Sequence, residues 1–350
     1  MGIRPDAMRW VGSPAQLYGI EDFRLIGGRA QGMRCMRMYN AEGLSLTVLP
    51  DRGMDIGQFS ICGKNLSFLS CTGPVNSTYF AEDGARGFFR NFLGGFLTTG
   101  GLTYMGAACT DENEALGLHG VIANLPAQEV CGTSAGGNLR VSGSVRQARV
   151  FGENLVLRRC IELPYGEKEF SICDEIENQG FRTVPFMLLY HMNFGYPFLS
   201  TDTKVYLPSC GVHPRDAQAQ GGLPTYLSMD APQDDRPEQV FFHEMQPDEQ
   251  GNVHFMLEAP QEEMAICVSY PYRYLPCFTQ WKSMASGEYA LGLEPGNCHV
   301  LGRVEAKRDG SLRTLEPGDC VRLKLTVRVI CGNANIRNEQ AKLQLGERQG

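Results

Sequence analysis

An all-β fold, a large antiparallel β-sandwich, is the class this sequence predicts, and three observations predict it. Apolar residues recur with a period of two. Leu44, Leu46 and Val48 alternate with Ser45 and Thr47, and Phe170, Ile172 and Ile176 recur within residues 169–177. Val321, Leu323, Leu325, Val327 and Val329 alternate with Arg322, Lys324, Thr326 and Arg328. Such alternation marks half-buried antiparallel strands. The 41 Gly and 19 Pro punctuate the chain at short intervals, as in sheets joined by turns. Helical periodicity is scarce, and the strand–helix alternation of a parallel α/β fold is absent, as are GxG and the P-loop pattern.

In chain order, residues 1–20 read as an N-terminal extension packed on the sandwich. The strand at 44–49 runs into the turn Asp51-Arg52-Gly53-Met54-Asp55, and one short helix is expected between Val75 and Arg90. Gly132-Thr133-Ser134-Ala135-Gly136 matches G-x-S-x-G, but a hydrolase elbow needs a helix after the serine. Residues 139–145 read instead as a strand, so the match is a hairpin turn. Asp230–Glu238 is polar and Pro-rich and is expected to be an exposed loop within one domain. A chain of 350 residues could hold two or three domains, yet large β architectures form one unit. A single sandwich domain over 1–334 is therefore expected, with a polar, partly loose tail at 335–350.

Composition excludes several function classes. With 43% hydrophobic and 20% charged residues the chain is not disordered. Its 32 basic against 39 acidic residues leave no dominant basic face, so a nucleic-acid partner is not expected. The longest uncharged stretch, Asn91–Thr110, holds five Gly and four Thr and does not read as a membrane span. The N-terminus carries charges and a Pro where a signal peptide has its apolar core. Asp6 stands where a myristoylation motif has Ser or Thr. A cytoplasmic protein is expected. The 13 cysteines are odd in number and form no CxxC pair, which favours buried reduced thiols over a disulfide framework or zinc site.

Among six histidines, His213, His243, His254 and His299 have no ligand-spaced partner and HExxH is absent, so no metal is expected. His119 sits among small residues in Leu116-Gly117-Leu118-His119-Gly120, where another molecule could approach the ring, or where it simply makes a turn. His191 lies in the apolar run Phe186–Gly195. It is either a satisfied core residue or a neutral imidazole tuned for proton transfer. Glu294 ends a strand against a Pro-Gly turn, and a carboxylate there needs a partner or a role. Arg52 either caps its turn or aims at ligand oxygens.

Six stretches in this order are similar to one family. They are Leu49-Pro50-Asp51-Arg52-Gly53-Met54-Asp55-Ile56, residues 89–102 (FRNFLGGFLTTGGL), Leu118-His119-Gly120, residues 190–197 (YHMNFGYP), Thr279-Gln280-Trp281-Lys282 and residues 287–295 (GEYALGLEP). Over roughly residues 20–332 the chain resembles the aldose 1-epimerase (galactose mutarotase-like) family, and within it a bacterial branch whose members are largely uncharacterised. Two departures stand out: Val121 where the family has Arg, and Gly100 or Gly101 where it has Cys.

The resemblance implies mutarotation, the exchange of α and β anomers of a free sugar by acid/base ring opening, with no cofactor or metal. It implies Glu294 as base on the anomeric hydroxyl and His191 as acid on the ring oxygen. Arg52, His119 and Asn193 would bind the sugar. Gln280, Trp281 and Lys282 would line the pocket, Trp281 as a stacking face and Lys282 as a contact for a phosphate or carboxylate. Two alternatives accompany it: a related isomerase acting on a deoxy, sulfo or phospho sugar, and a non-catalytic carbohydrate-binding sensor. The expected partner is a monosaccharide, and a homodimer is left open.

Overall fold

The computed structural model describes residues 6–343. Two antiparallel sheets face each other. The first has twelve strands. Its main path runs Gly19–Arg24, Arg34–Tyr39, Leu44–Leu49, Asp55–Ile61, Leu97–Leu102, Val184–Gly195, Glu288–Gly296, Cys277–Ala285, Gln239–Met245, Ser209–Pro214. The second, of eight, runs Ala127–Ala135, Asn138–Ala148, Asn154–Pro164, Glu169–Asn178, Cys320–Cys331, Met264–Pro271, Asn252–Ala259, Lys204–Tyr206. No helix among the described residues is long and apolar enough to cross a membrane.

Strand alternation builds the core. From the second sheet, Leu155, Leu157, Ile161, Phe170, Ile172, Leu325 and Val327 point inward. They meet Leu46, Val48, Ile56, Leu188, Tyr190, Met192, Phe194, Leu291 and Leu293 of the first. Burial of each such side chain contributes about 1.5–3 kcal/mol. The Gly132–Gly136 stretch is the hairpin expected, because Ala127–Ala135 and Asn138–Ala148 pair across Gly136-Gly137. The Val75–Arg90 region holds a 3₁₀ turn, Ser77–Tyr79, and a short helix, Gly84–Phe89.

At the start of the polar tail, Asn333–Lys342 forms a helix. Its single buried apolar residue, Ile336, packs with Tyr206, Met256 and Cys267, and Glu339 pairs with Arg328. Tertiary contact supplies the order that the polar sequence lacks. The rest of the tail, 344–350, lies outside the described residues.

Between the sheets lies a charge cluster. Arg159 is 1% exposed and forks onto both oxygens of Asp174 at 2.9 and 2.7 Å. Its third nitrogen donates to Asp55 and to Thr99 Oγ1, each at 2.9 Å. The Tyr190 hydroxyl donates to Asp174 at 2.5 Å, and Thr99 donates to Asp55 through both its hydroxyl and its amide. Arg159 and Asp174 belong to the second sheet, and Asp55, Thr99 and Tyr190 to the first. The cluster therefore stitches the two layers together. Removing one ion of a buried pair leaves an uncompensated charge and costs about 3–5 kcal/mol. Arg159→Met should lose that much in urea unfolding. The triple variant Arg159→Met/Asp55→Asn/Asp174→Asn, which leaves no unpaired charge, should lose less.

Candidate active site

The first sheet's other face carries the candidate site, and register assembles it. Leu189 pairs with Gly296 and Met192 with Leu293, which sets His191 opposite Glu294. Glu294 in turn faces Thr279, and on the other side His191 faces Thr98. One row across four strands thus reads Thr98, His191, Glu294, Thr279. In the adjoining row Asn193 faces Gly292 and Gly292 faces Trp281.

Gly292 makes this convergence possible. A Cβ there would stand 2.7 Å from Glu294 Oε1, 3.1 Å from His191 Cε1 and 3.1 Å from Trp281 Cβ. Any side chain would push the three functional groups apart. His191 and Trp281 rings lie 5.5 Å apart, edge to face.

His119 arrives from outside the sheet. It holds a left-handed backbone, φ 57°, rare outside Gly and Asn and met at functional sites. Its amide donates to Gly106 and its carbonyl accepts from Gly101. Those bonds bring its ring to 5.6 Å from that of His191. Phe88 and Phe92 stack on each other at 4.8 Å and close over this group, Phe88 at 5.0 Å from His119 and Phe92 at 5.5 Å from His191.

The site is buried, and four of its polar atoms have no partner among the described residues. His191 is 6% exposed, Glu294 2% and Asn193 0%. His119 Nδ1, His191 Nδ1, Asn193 Oδ1 and Glu294 Oε1 are all buried without a hydrogen-bond partner. Each such orphan costs about 1–3 kcal/mol, so four in one place point to a polar molecule that completes them. His191 Nε2 lies 3.3 Å from Glu294 Oε1, but the two are not aligned as a hydrogen bond.

Burial sets the protonation. It drives the His191 imidazole well below its ordinary value, with His119 adding to the effect, and lowers His119 to about 4. It drives the Glu294 carboxyl well above 4.5, assisted by Glu238 and opposed by Arg215. Burial thus favours the neutral form of each group, an uncharged imidazole and a protonated carboxyl. Among the described residues no three His, Cys, Asp or Glu side chains are grouped to hold a metal.

Of the expected site residues, the structure brings together His191, Glu294, His119, Asn193 and Trp281. Three others it places elsewhere. Gln280 and Lys282 alternate with Trp281 and so point to the opposite face. There Gln280 bonds His243 at 3.0 Å and the Tyr226 carbonyl at 2.6 Å. Lys282, 1% exposed, donates to the Thr225 carbonyl at 2.9 Å. The same period-two rule that predicts the strand would have divided these neighbours. Arg52 is 7% exposed and gives three nitrogens to the backbone carbonyls of Ala123, Val75 and Asn91, so its fork is not free for a ligand. The aromatic wall of Phe68, Phe88 and Phe92 was not foreseen. Phe92 lies in one of the stretches that carry the family resemblance, but nothing local says which way it points.

A groove of about 640 Å³ lies elsewhere, on the outer face of the second sheet, lined by Arg158, Cys160, Cys173, Glu175, Arg322 and Lys324. Two of its cations, Arg158 and Arg322, are already paired with Glu175.

Solved structures share the fold. A candidate aldose 1-epimerase from Klebsiella pneumoniae subsp. pneumoniae is 23% identical with a TM-score of 0.88, covering 95% of this chain and 88% of its own. A galactose mutarotase-like protein from Clostridium acetobutylicum is 14% identical with a TM-score of 0.64, covering 90% and 99%. Galactose 1-epimerase from Lactobacillus acidophilus NCFM is 14% identical with a TM-score of 0.63, covering 90% and 100%. No curated protein matches the sequence. The fold is thus the galactose mutarotase-like sandwich. Residues 30–329 match the family model described as a domain of unknown function, DUF4432, and the chain belongs to that family.

Proposed function

We propose that the protein is a mutarotase of the aldose 1-epimerase type, acting on an uncharged free sugar. The observation that carries this reading is the cluster of four unpartnered polar atoms on His119, His191, Asn193 and Glu294 under an aromatic wall. Sugar hydroxyls both donate and accept, and a pyranose C–H face suits Trp281 and Phe92.

Ring opening needs one group to take the anomeric hydroxyl proton and one to give a proton to the ring oxygen. The C1–O5 bond then breaks, C1–C2 rotates, and closure reverses the transfers. His191 and Glu294 share the single proton this needs. Burial favours the form with the proton on Glu294. Sugar hydroxyls that hydrogen-bond the charged forms favour the imidazolium–carboxylate state, with His191 as acid and Glu294 as base. The total proton count is the same in both states, so each group alternately gives and takes.

Neutrality of the substrate follows from the cations. Lys282 points to the other face, Arg52 is bound to carbonyls, and Arg215 is paired with Asp216 and Glu238. Glu238 already raises the Glu294 carboxyl, and an added anion would be repelled in the same way.

Exchange NMR tests the reading. Neutral aldoses and deoxy sugars should show accelerated anomer exchange, with sugar phosphates and uronates at least about tenfold slower; the reverse order would refute the neutral-substrate assignment. Glu294→Gln should lower the rate by about 10²–10⁴ while sugar still binds. Binding with no acceleration for any sugar would instead indicate a carbohydrate sensor.

Acid should also inactivate. The working pair carries one proton, so kcat/KM should fall once acid adds a second, on His191, and because the imidazole is depressed that fall should come well below pH 6.5. Stability carries the opposite signature for Glu294. Its raised carboxyl binds more protons folded than unfolded above pH 4.5, so stability falls as pH rises through that range. Glu294→Gln should therefore melt with wild type below pH 4.5 and progressively above it at neutral pH.

A further inference from the structure

Arg52 holds three carbonyls that are far apart in sequence and adjacent in function. Two of them, Val75 at 2.7 Å and Asn91 at 2.8 Å, bracket residues 76–90. The third, Ala123 at 2.8 Å, follows the His119 turn. One guanidinium thus closes the neck of an excursion that carries Phe88 over His119, and joins that neck to the loop that supplies His119. Burial pulls Arg52 down only to about 10, which leaves it charged at neutral pH.

The excursion is otherwise lightly held. Between Val75 and Gly87 no residue is buried, and Tyr79 and Phe89 are 52% and 58% exposed. Its ion pairs, Asp83 with Arg86 and Asp83 with Arg90, are internal and exposed, and such pairs contribute little. Few side chains reach back: Glu82 meets the Tyr104 hydroxyl at 3.5 Å, Asn76 donates to the Gln31 carbonyl at 3.2 Å, and Arg29 lies over the Tyr79 ring at 5.8 Å. Arg29 adds a second support at the neck, donating to the Arg90 carbonyl and Asn91 Oδ1. Phe88 lies over His119 at 5.0 Å, and His191 and Glu294 are buried beneath.

We propose that residues 76–90 are a gate over the His191–Glu294 pair and that Arg52 is the positioning residue that clamps its neck, so that the gate swings without displacing His119. Segments with few buried contacts open at low free energy, and lids of this kind admit substrate and then exclude water. The inference rests on the mutarotase reading for its kinetics only; the motion is measurable without a sugar.

The experiment uses the full-length chain carrying Trp10→Phe, which leaves Trp281 as the sole tryptophan. In Arg52→Lys, whose single ammonium cannot span three carbonyls, amides of residues 76–90 should exchange with deuterium about tenfold faster. Amides of Leu97–Leu102 and Val184–Gly195 should keep wild-type protection, and acrylamide quenching of Trp281 should rise. Unchanged exchange over 76–90 overturns the clamp. Equal acceleration over those two strands overturns it in favour of a general stabilising role. Should Arg52→Lys not fold, Phe88→Ala makes the measurement: quenching of Trp281 rises and protection over 76–90 falls if Phe88 latches the gate, and neither changes if there is no gate. With a sugar turned over by wild type, Arg52→Lys should raise KM about tenfold and change kcat by less than about threefold; a fall in kcat at constant KM overturns the gate. If no sugar is turned over, the mutarotase reading fails while the exchange result still decides the gate.

Discussion

Arg159 is the group on which the two layers depend. Its guanidinium lies in the space where the sheets would otherwise meet only through hydrocarbon, and every nitrogen is used on a carboxylate or hydroxyl of one layer or the other. Hydrocarbon packing is tolerant of small slips; a bidentate fork between charged groups in a dry interior is not. Its reach extends to the site through a single peptide unit. Tyr190 is fixed on the core face by Asp174, and His191, the next residue, must then point to the opposite face. Thr99, held to Asp55, fixes the strand on the other side in the same way, and Thr98 faces His191.

That arrangement makes the central strands unusual, because both of their faces are buried. One face is filled with apolar side chains and one charge cluster that is fully satisfied. The other holds imidazole, carboxylate and amide atoms without partners among the described residues. The contrast is the physical basis for reading function into the second face. Burial, the largest cause in each case, pushes His191 and Glu294 toward their neutral forms. Buried polar atoms without partners cost stability.

The cover over the site follows from the same economy of contacts. Phe88 and Phe92 dry the pair from above, yet most of the segment that leads to Phe88 is exposed. Its ends are held by backbone carbonyl bonds to Arg52 and Arg29 rather than by core packing. A rigid neck and a loose loop differ in which groups each can hold: the strong hydrogen bonds are concentrated at the neck, and the loop is left with exposed ion pairs.

The sequence by itself determined the architecture and the candidate pair. Period-two alternation is a local property, so Leu44–Leu49, Glu169–Asn178 and Cys320–Cys331 could be read directly as strands, and the Gly136-Gly137 turn excluded a hydrolase elbow. His191 and Glu294 stood out because ionisable groups in apolar strands need a reason to be there. Only the tertiary structure decided which groups meet. Cross-strand register set His191 opposite Glu294 across about one hundred residues of chain, and no local pattern encodes that register. Arg52 looked like a ligand contact because a guanidinium beside a turn is suited to one. Its actual partners, Val75, Asn91 and Ala123, are brought to it by loops whose paths depend on long-range packing. Lys282 and Gln280 were misplaced for a simpler reason: they share a strand with Trp281 but not its face, and a face is assigned only when one residue of the strand is known to point at the site. The helix at Asn333–Lys342 likewise exists because Ile336 finds a hydrophobic patch made by three distant strands, information the polar tail does not contain.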